Sequence, residues 1–240
     1  MEASLQQRVV LVTGGGQGLG EAISSELAEA GAAVLVADRS ERAQRVAAAL
    51  SSAGARAVAL QGDVGSEEDV KRFIDEANRR FGGLDAVVNN AGIDRTTGVD
   101  TLGVEEWDAI IRTNLRGPFL LSKYALPLLR ERRGDIVNVA STAAKRGWPN
   151  ASAYHASKWG LLGLSYALHA EFRAHDIRVT AVIAGGMRTP FLLERFPDLD
   201  PAKLQDPRDV ARAVRFALTQ PRESVVAEIT VLPVQESSWP

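Results

Sequence analysis

Seven short apolar runs rich in β-branched residues recur along the chain, at residues 9–12, 33–37, 57–60, 86–88, 136–139, 179–183 and 228–232. Amphipathic stretches of ten or more residues separate most of them. Strands joined by helical crossovers lie parallel in one sheet, and the near-continuous apolarity of several runs marks strands covered on both faces. The expected fold class is therefore α/β, a doubly wound seven-stranded parallel sheet flanked by helices on both faces. Helix ends are signalled as well. Gly31 and Gly54 suit left-handed positions after helices, Ser66 with Asp69 forms a capping-box-like start, and Asp206 with Pro207 reads as an N-cap and first helical residue. No linker, low-complexity tract or repeat interrupts the pattern, so residues 1–240 read as a single domain. Residues 189–205 alone lack periodicity over a long stretch, and read as a lid over a site.

Composition excludes several classes of function. A formal charge of -2 without a polybasic tract gives no means of neutralising a nucleic-acid backbone. The chain has no cysteine, which removes disulfides, zinc–thiolate sites and Cys nucleophiles and agrees with a reducing, cytoplasmic setting. No spacing of His, Asp and Glu predicts a metal site. No apolar run approaches the ~18 residues of a membrane span, and residues 1–8 are polar where a signal peptide is apolar. No membrane association is expected.

The first strand runs directly into Gly14-Gly-Gly16-Gln17-Gly18-Leu19-Gly20, with a helix expected from near Glu21. Glycines let the backbone adopt positive φ and approach a pyrophosphate, while the following helix start supplies free N–H groups and a positive dipole end. Taken alone such a turn also serves as a plain tight turn. Eighteen residues beyond Gly20, Asp38 closes the second run, where a carboxylate accepts hydrogen bonds from adenosine ribose hydroxyls; a solvent-facing strand-end Asp is the alternative. Like charges about 4 Å apart repel by roughly 4 kcal/mol at an effective dielectric near 20, so Asp38 opposes a 2′-phosphate. NAD is expected over NADP. Arg39, whose guanidinium can face such a phosphate, is the argument for NADP.

Ser141 follows the fifth run, and Tyr154 and Lys158 stand four residues apart at the start of a long helical stretch, hence on one face. A phenol with an ordinary pKa near 10 becomes a useful base only when a neighbouring cation favours the phenolate. Tyr-x-x-x-Lys by itself is a frequent accident of helices.

Taken together, Gly14, Gly18, Gly20, Asn89 to Gly92, Asn114, Ser141, Tyr154 and Lys158 resemble the classical short-chain dehydrogenase/reductase family in order and spacing, over residues 8–216. The glycine spacing is that family's Gly-x-x-x-Gly-x-Gly, and the resemblance implies a single-domain Rossmann fold. It further implies that Tyr154 exchanges the hydroxyl proton while hydride moves between the carbinol carbon and nicotinamide C4. Ser141 then bonds the substrate oxygen, Lys158 binds the nicotinamide ribose and lowers the Tyr154 pKa, and Asn114 holds a relay water. Gly14, Gly16, Gln17, Gly18, Leu19 and Gly20 line the cofactor phosphates, Asp38 and Arg39 its ribose, and Asp63 and Val64 its adenine. Asn90, Ala91 and Gly92 pass the adenosine ribose and pyrophosphate, and Gly185 and Thr189 approach the carboxamide. Asp63 reads equally well as a turn former, and Gln17 replaces a basic residue common in NADP-preferring members. Ala184 stands where the family has proline, and residues 228–235 lack its Asp-Gly-Gly finish.

The expected activity is hydride transfer between NAD(H) and a secondary alcohol/carbonyl substrate, a small alcohol or ketone. The alternatives are an NADPH-dependent carbonyl reductase and a non-catalytic cofactor-binding protein on the same fold. Ser141, Ala143, Trp148, Tyr154 and Met187 are the expected substrate contacts, beneath an apolar cover of Phe191, Leu192, Leu193 and Phe196. Arg95, Lys145, Arg146 and Arg188 read mainly as solvated charges. His155, His169 and His175 are expected to have no direct role, and Trp107, Trp159 and Trp239 to pack or to lie at interfaces. The helix over residues 152–172 is apolar around much of its circumference, which predicts a homodimer or homotetramer through it and the helix holding Asn114.

Overall fold

The computed structural model describes residues 4–236; Trp239 lies outside them. Seven strands form one parallel sheet: β1 (Val9–Thr13), β2 (Ala33–Asp38), β3 (Ala57–Gln61), β4 (Ala86–Asn89), β5 (Asp135–Val139), β6 (Arg178–Ala184) and β7 (Glu228–Val231). Their order is β3-β2-β1-β4-β5-β6-β7. The crossovers are α1 (Gly18–Glu29), α2 (Arg42–Ser52), α3 (Glu67–Phe81), α4 (Val104–Ile111), α5 (Gly117–Arg132), α6 (Ser152–Phe172), α7 (Pro190–Leu193) and α8 (Pro207–Leu218). This is the expected single-domain Rossmann architecture. No helix of the described residues is long and apolar enough to cross a membrane.

Alternation along the strands builds two cores. In β1, Val10 and Val12 pack with α1, α2 and α8 on one face, while Val9 and Leu11 pack with α3, α5 and α6 on the other. Local signals set the helix ends: the Ser66 hydroxyl accepts from Asp69 N, and Asp206 accepts from Arg208 N just before Pro207. Gly31 and Gly54 adopt φ of +95° and +89°. Helix α1 starts at Gly18 rather than near Glu21, because positive φ at Gly18 carries the chain from extended Gln17 straight into the helix.

Strand order reverses between β1 and β4, so the loops beyond their C-terminal ends part and leave a crevice. At the opposite edge, Asp135 gathers three arginines. It accepts from Arg178 Nε at 2.6 Å, from Arg222 Nη1 at 3.4 Å and from Arg8, and Arg178 also bonds the Leu218, Gln220, Pro221 and Ser224 carbonyls. This buried cluster ties β1, β5, β6 and the chain after α8 together far from the crevice. Removing its carboxylate leaves three guanidiniums around an uncompensated site, so Asp135→Ala is expected to cost about 3–5 kcal/mol in denaturant melts. Cofactor affinity at a temperature where the variant is folded should stay unchanged; a parallel loss of affinity would contradict the separation of the two ends.

Candidate active site

Two adjoining hollows open at the crevice. The first, of about 290 Å³, is lined by Gly14, Gln17, Gly18, Leu19, Gly20, Asp38, Arg39, Asp63, Val64, Asn90, Ala91, Gly92 and Thr189 among others. Its floor requires glycine. Gly14 and Gly18 have φ of +63° and +56°, and a Cβ on Gly20 would lie 2.0 Å from the Gly14 carbonyl oxygen. The first N–H groups of α1 have no preceding helical carbonyl, and Gln17 makes no side-chain cap, unlike Ser66 or Asp206 at other helices. Such a cradle fits a pyrophosphate. Gly16 lies behind it, its N–H donating to Asp38 Oδ2 at 3.0 Å.

Asp38 Oδ1 accepts from Ser40 N and Oγ at 2.9 and 2.8 Å, which fixes the carboxylate at the mouth of the hollow. Arg39 is exposed beside it; Arg42 bonds Gln17, and Arg45 bonds Glu21 and the Gly16 carbonyl. Asp63 makes the turn-forming bond to Gly65 N at 2.8 Å while also lining the hollow. Thr13, unremarked in the sequence, secures the opposite wall: its hydroxyl accepts from Asn90 N and Ala91 N at 3.1 Å each, and Asn90 Nδ2 donates to the Thr13 carbonyl at 2.8 Å.

Asn114 sits in a π-helical turn, Arg112–Arg116, between α4 and α5. Such turns recur at functional sites because they re-aim one side chain. Its Nδ2 donates to Ile93 O and Ser157 Oγ at 2.8 and 3.0 Å, and its Oδ1 accepts from Ile93 N at 2.8 Å. One lone pair of Oδ1 is left over. A Cβ built on Gly92 would lie 3.5 Å from that oxygen and 3.8 Å from Lys158 Nζ, so all three meet at one place.

The second hollow, of about 450 Å³, is lined by Ser141, Tyr154, Lys158, Trp148, Gly185, Met187 and Thr189, together with the apolar Phe191, Leu192, Phe196, Leu199 and Leu204. The Ser141 hydroxyl lies close enough to the Tyr154 phenol to favour its ionised form. The Lys158 ammonium donates to Val139 O at 2.8 Å and stands 5.6 Å from the Tyr154 ring centroid. Burial dominates both groups. It pushes Tyr154 up to about 12, Ser141 and Arg195 acting against it and Asp94 with it. It pushes Lys158 down to about 8. The lowering of the Tyr154 pKa expected from Lys158 is not seen: desolvation dominates, and the opposing influences are Ser141 and Arg195.

Ala143, expected at the substrate, is fully buried beneath the wall, and its neighbour Thr142 lines the hollow instead. Leu193 is not among the lining residues, whereas Phe191, Leu192 and Phe196 are. Lys145 pairs with Glu228, Arg95 with Glu106 and Arg188 with Asp206, away from the hollow. His155 touches no catalytic group but fixes the loop beside them: its Nδ1 bonds Ala143 O at 2.9 Å, and its Nε2 accepts from Trp148 N at 3.1 Å. Sequence reasoning missed Asp94 and Arg195, which form an ion pair at the hollow. They are a hundred residues apart and carry no periodic signal.

Burial of Lys158 has a measurable cost. The unfolded chain keeps this proton up to about 10.5, whereas the folded chain releases it near 8, so folding stability should rise with pH across that window. The rise attributable to Lys158 is about 3 kcal/mol. Lys158→Met should lack it in cofactor-free denaturation curves taken from pH 7 to 10.5; an unchanged slope would contradict the burial argument.

A family model for short chain dehydrogenases matches residues 8–200. An uncharacterized oxidoreductase of Staphylococcus aureus (strain USA300) is 37% identical over 232 residues, covering 96% of this chain and 99% of the relative. One from Thermotoga maritima is 33% identical over 226 residues, with 88% of each chain covered. Among solved structures, a metagenomic short-chain oxidoreductase in complex with NADP has a TM-score of 0.85 at 31% identity, covering 96% of this chain and 98% of that one. A 3-ketoacyl-(acyl-carrier-protein) reductase from Brucella melitensis complexed with NADH has a TM-score of 0.87 at 32% identity, covering 97% and 99%. With its glycine cradle and with Ser141, Tyr154 and the buried Lys158 lining one crevice, the chain belongs to the short-chain dehydrogenase family of oxidoreductases.

Proposed function

We propose that this protein transfers hydride between NAD(H) and a secondary alcohol/carbonyl pair, with Tyr154 as the acid/base. The observation that carries this reading is the convergence of Ser141, Tyr154 and Lys158 on one hollow that continues from the glycine cradle. The NADP and NADH complexes of its two structural relatives support a nicotinamide cofactor. The backbone N–H groups at the start of α1 hold the pyrophosphate, and Asp38 receives the adenosine ribose hydroxyls. Gly185 and Thr189 flank the place for the carboxamide.

A bound reduced nicotinamide supplies the hydride that adds to the carbonyl carbon. Ser141 donates to the carbonyl oxygen as the π bond breaks, and Tyr154 Oη delivers the proton that completes the alcohol. Lys158 binds the nicotinamide ribose hydroxyls and returns a proton towards Tyr154. The free lone pair of Asn114 holds a water that replenishes Lys158 from solvent. In oxidation each proton moves the opposite way. Trp148, Met187, Phe191 and Phe196 give the substrate a largely apolar enclosure.

NADPH is the second reading, favoured by Arg39 and Arg42 at the same mouth as Asp38. The fixed Asp38 carboxylate places NAD ahead, because a 2′-phosphate there meets a like charge. The exposed Phe119, Trp159 and Tyr166 on α5 and α6 support a homodimer or homotetramer through these helices.

Tyr154→Phe should lower ketone-dependent NADH oxidation by about a hundredfold or more, with NADH affinity retained. Turnover surviving in the variant would refute the acid/base role. Asp38→Ser should raise the NADP-to-NAD ratio of kcat/KM by about tenfold or more, one like-charge contact being removed. Wild-type preference for NADP would instead establish the second reading.

A further inference from the structure

We infer that the Asp94–Arg195 pair makes this site selective for uncharged carbonyl substrates and against carboxylates, an inference that rests on the reductase reading above. Arg195 follows α7, Asp94 follows β4, and the two meet at the lining of the second hollow. Their side chains are 21% and 7% exposed, so the pair is closed off from most of the solvent that would screen it. Arg195 is held in place by its own donation to Phe191 O at 2.8 Å. Its guanidinium stacks 4.0 Å from the Phe191 ring centroid and 5.7 Å from that of Phe196. Its Nε and Nη1 donors are thus taken, and turning them to an incoming anion costs the carboxylate and aromatic contacts.

The remaining charges on the hollow offer an anion little. Lys158 is directed at Val139 O and, on the proposed mechanism, at the nicotinamide ribose. Lys203 is exposed at the rim, and Glu236 is an acid that accepts from Gly186 N at 2.9 Å. Asp94 meanwhile spends only part of its capacity on Arg195. Its Oδ1 is buried behind the wall without a hydrogen-bond partner, so part of its charge is left without a direct contact. A substrate carboxylate entering this space is stripped of water, finds its natural partner taken and lies beside a second carboxylate. An ester or ketone of the same shape meets none of these costs. The specificity determinant is thus Asp94, acting by withholding Arg195.

The test compares benzoylformate with its methyl ester, which share the reacting ketone and differ in charge. The wild type should favour the ester by about thirtyfold or more in kcat/KM. Asp94→Asn, nearly isosteric, frees Arg195 and should narrow that ratio by about tenfold or more, chiefly through the KM of the acid. Adding Arg195→Met should restore the original discrimination. Calorimetric binding of benzoate and benzamide to the enzyme–NAD complex gives the same comparison without turnover, with benzoate gaining in Asp94→Asn and losing again in the double variant. A wild type that reduces acid and ester equally, or a ratio unmoved by Asp94→Asn with NADH affinity intact, overturns the inference alone. Absence of turnover with both members and with either cofactor overturns the reductase reading and this inference with it.

Discussion

Lys158, only 4% exposed, rests its ammonium on the Val139 carbonyl, and the charge of Asp94 offsets its burial only in part. That costly placement is what the rest of the structure serves. It requires β5 to end where its last carbonyl faces α6, and it requires α6 to begin just after the loop from Ser141. Tyr154, one helical turn earlier on the same face, is partly enclosed beside it. Both groups are thereby displaced towards neutrality, Tyr154 upward and Lys158 downward. A positive charge brought alongside shifts such a phenol much further than it would in water, because the interaction is poorly screened. On the proposed mechanism, burial, which opposes ionisation of Tyr154 in the cofactor-free protein, would also make it responsive to an oxidised nicotinamide.

The sheet supplies the address. With β1 and β4 adjacent and their crossovers leaving in opposite directions, the glycine cradle and the Asn90 to Gly92 wall face each other across the crevice. β5 and β6 then carry Ser141 and Gly185 to the same edge. Thr13 closes the seam by accepting from two successive N–H groups beyond β4. The candidate site is thus set by backbone positions at strand ends, while Trp148 and the apolar residues between Phe191 and Leu204 line the second hollow. The Asp135–arginine cluster holds the far edge, where no part of the site depends on it directly.

The parts of this arrangement readable in the sequence are those encoded locally. Strand positions followed from apolar runs, α6 from its length and helical pattern, and the caps at Ser66 and Asp206 from side chains that bond within two or three residues. The cradle was readable because a glycine is needed wherever a Cβ would strike backbone, as at Gly20. What escaped is non-local or collective. The Asp94–Arg195 pair joins residues a hundred positions apart. The burial of Ala143 depends on how a 3₁₀ turn folds under its neighbours. His155, adjacent to Tyr154 yet off its face, takes its partners from the preceding loop. The direction of the Tyr154 pKa turned on desolvation, a property of the whole enclosure, whereas spacing reveals only the nearby lysine.

The central claim is that a partly buried phenol at Tyr154, tuned by the cofactor's charge, exchanges the substrate proton. With three tyrosines in the chain, carbon-13 labelling of the phenolic carbon allows Tyr154 to be followed by NMR and assigned with Tyr154→Phe. In the free protein it should titrate near 12, above the ordinary phenol, and in the NAD complex its pKa should fall by about two units or more. A Tyr154 that titrates at the same pH with and without NAD would contradict the account.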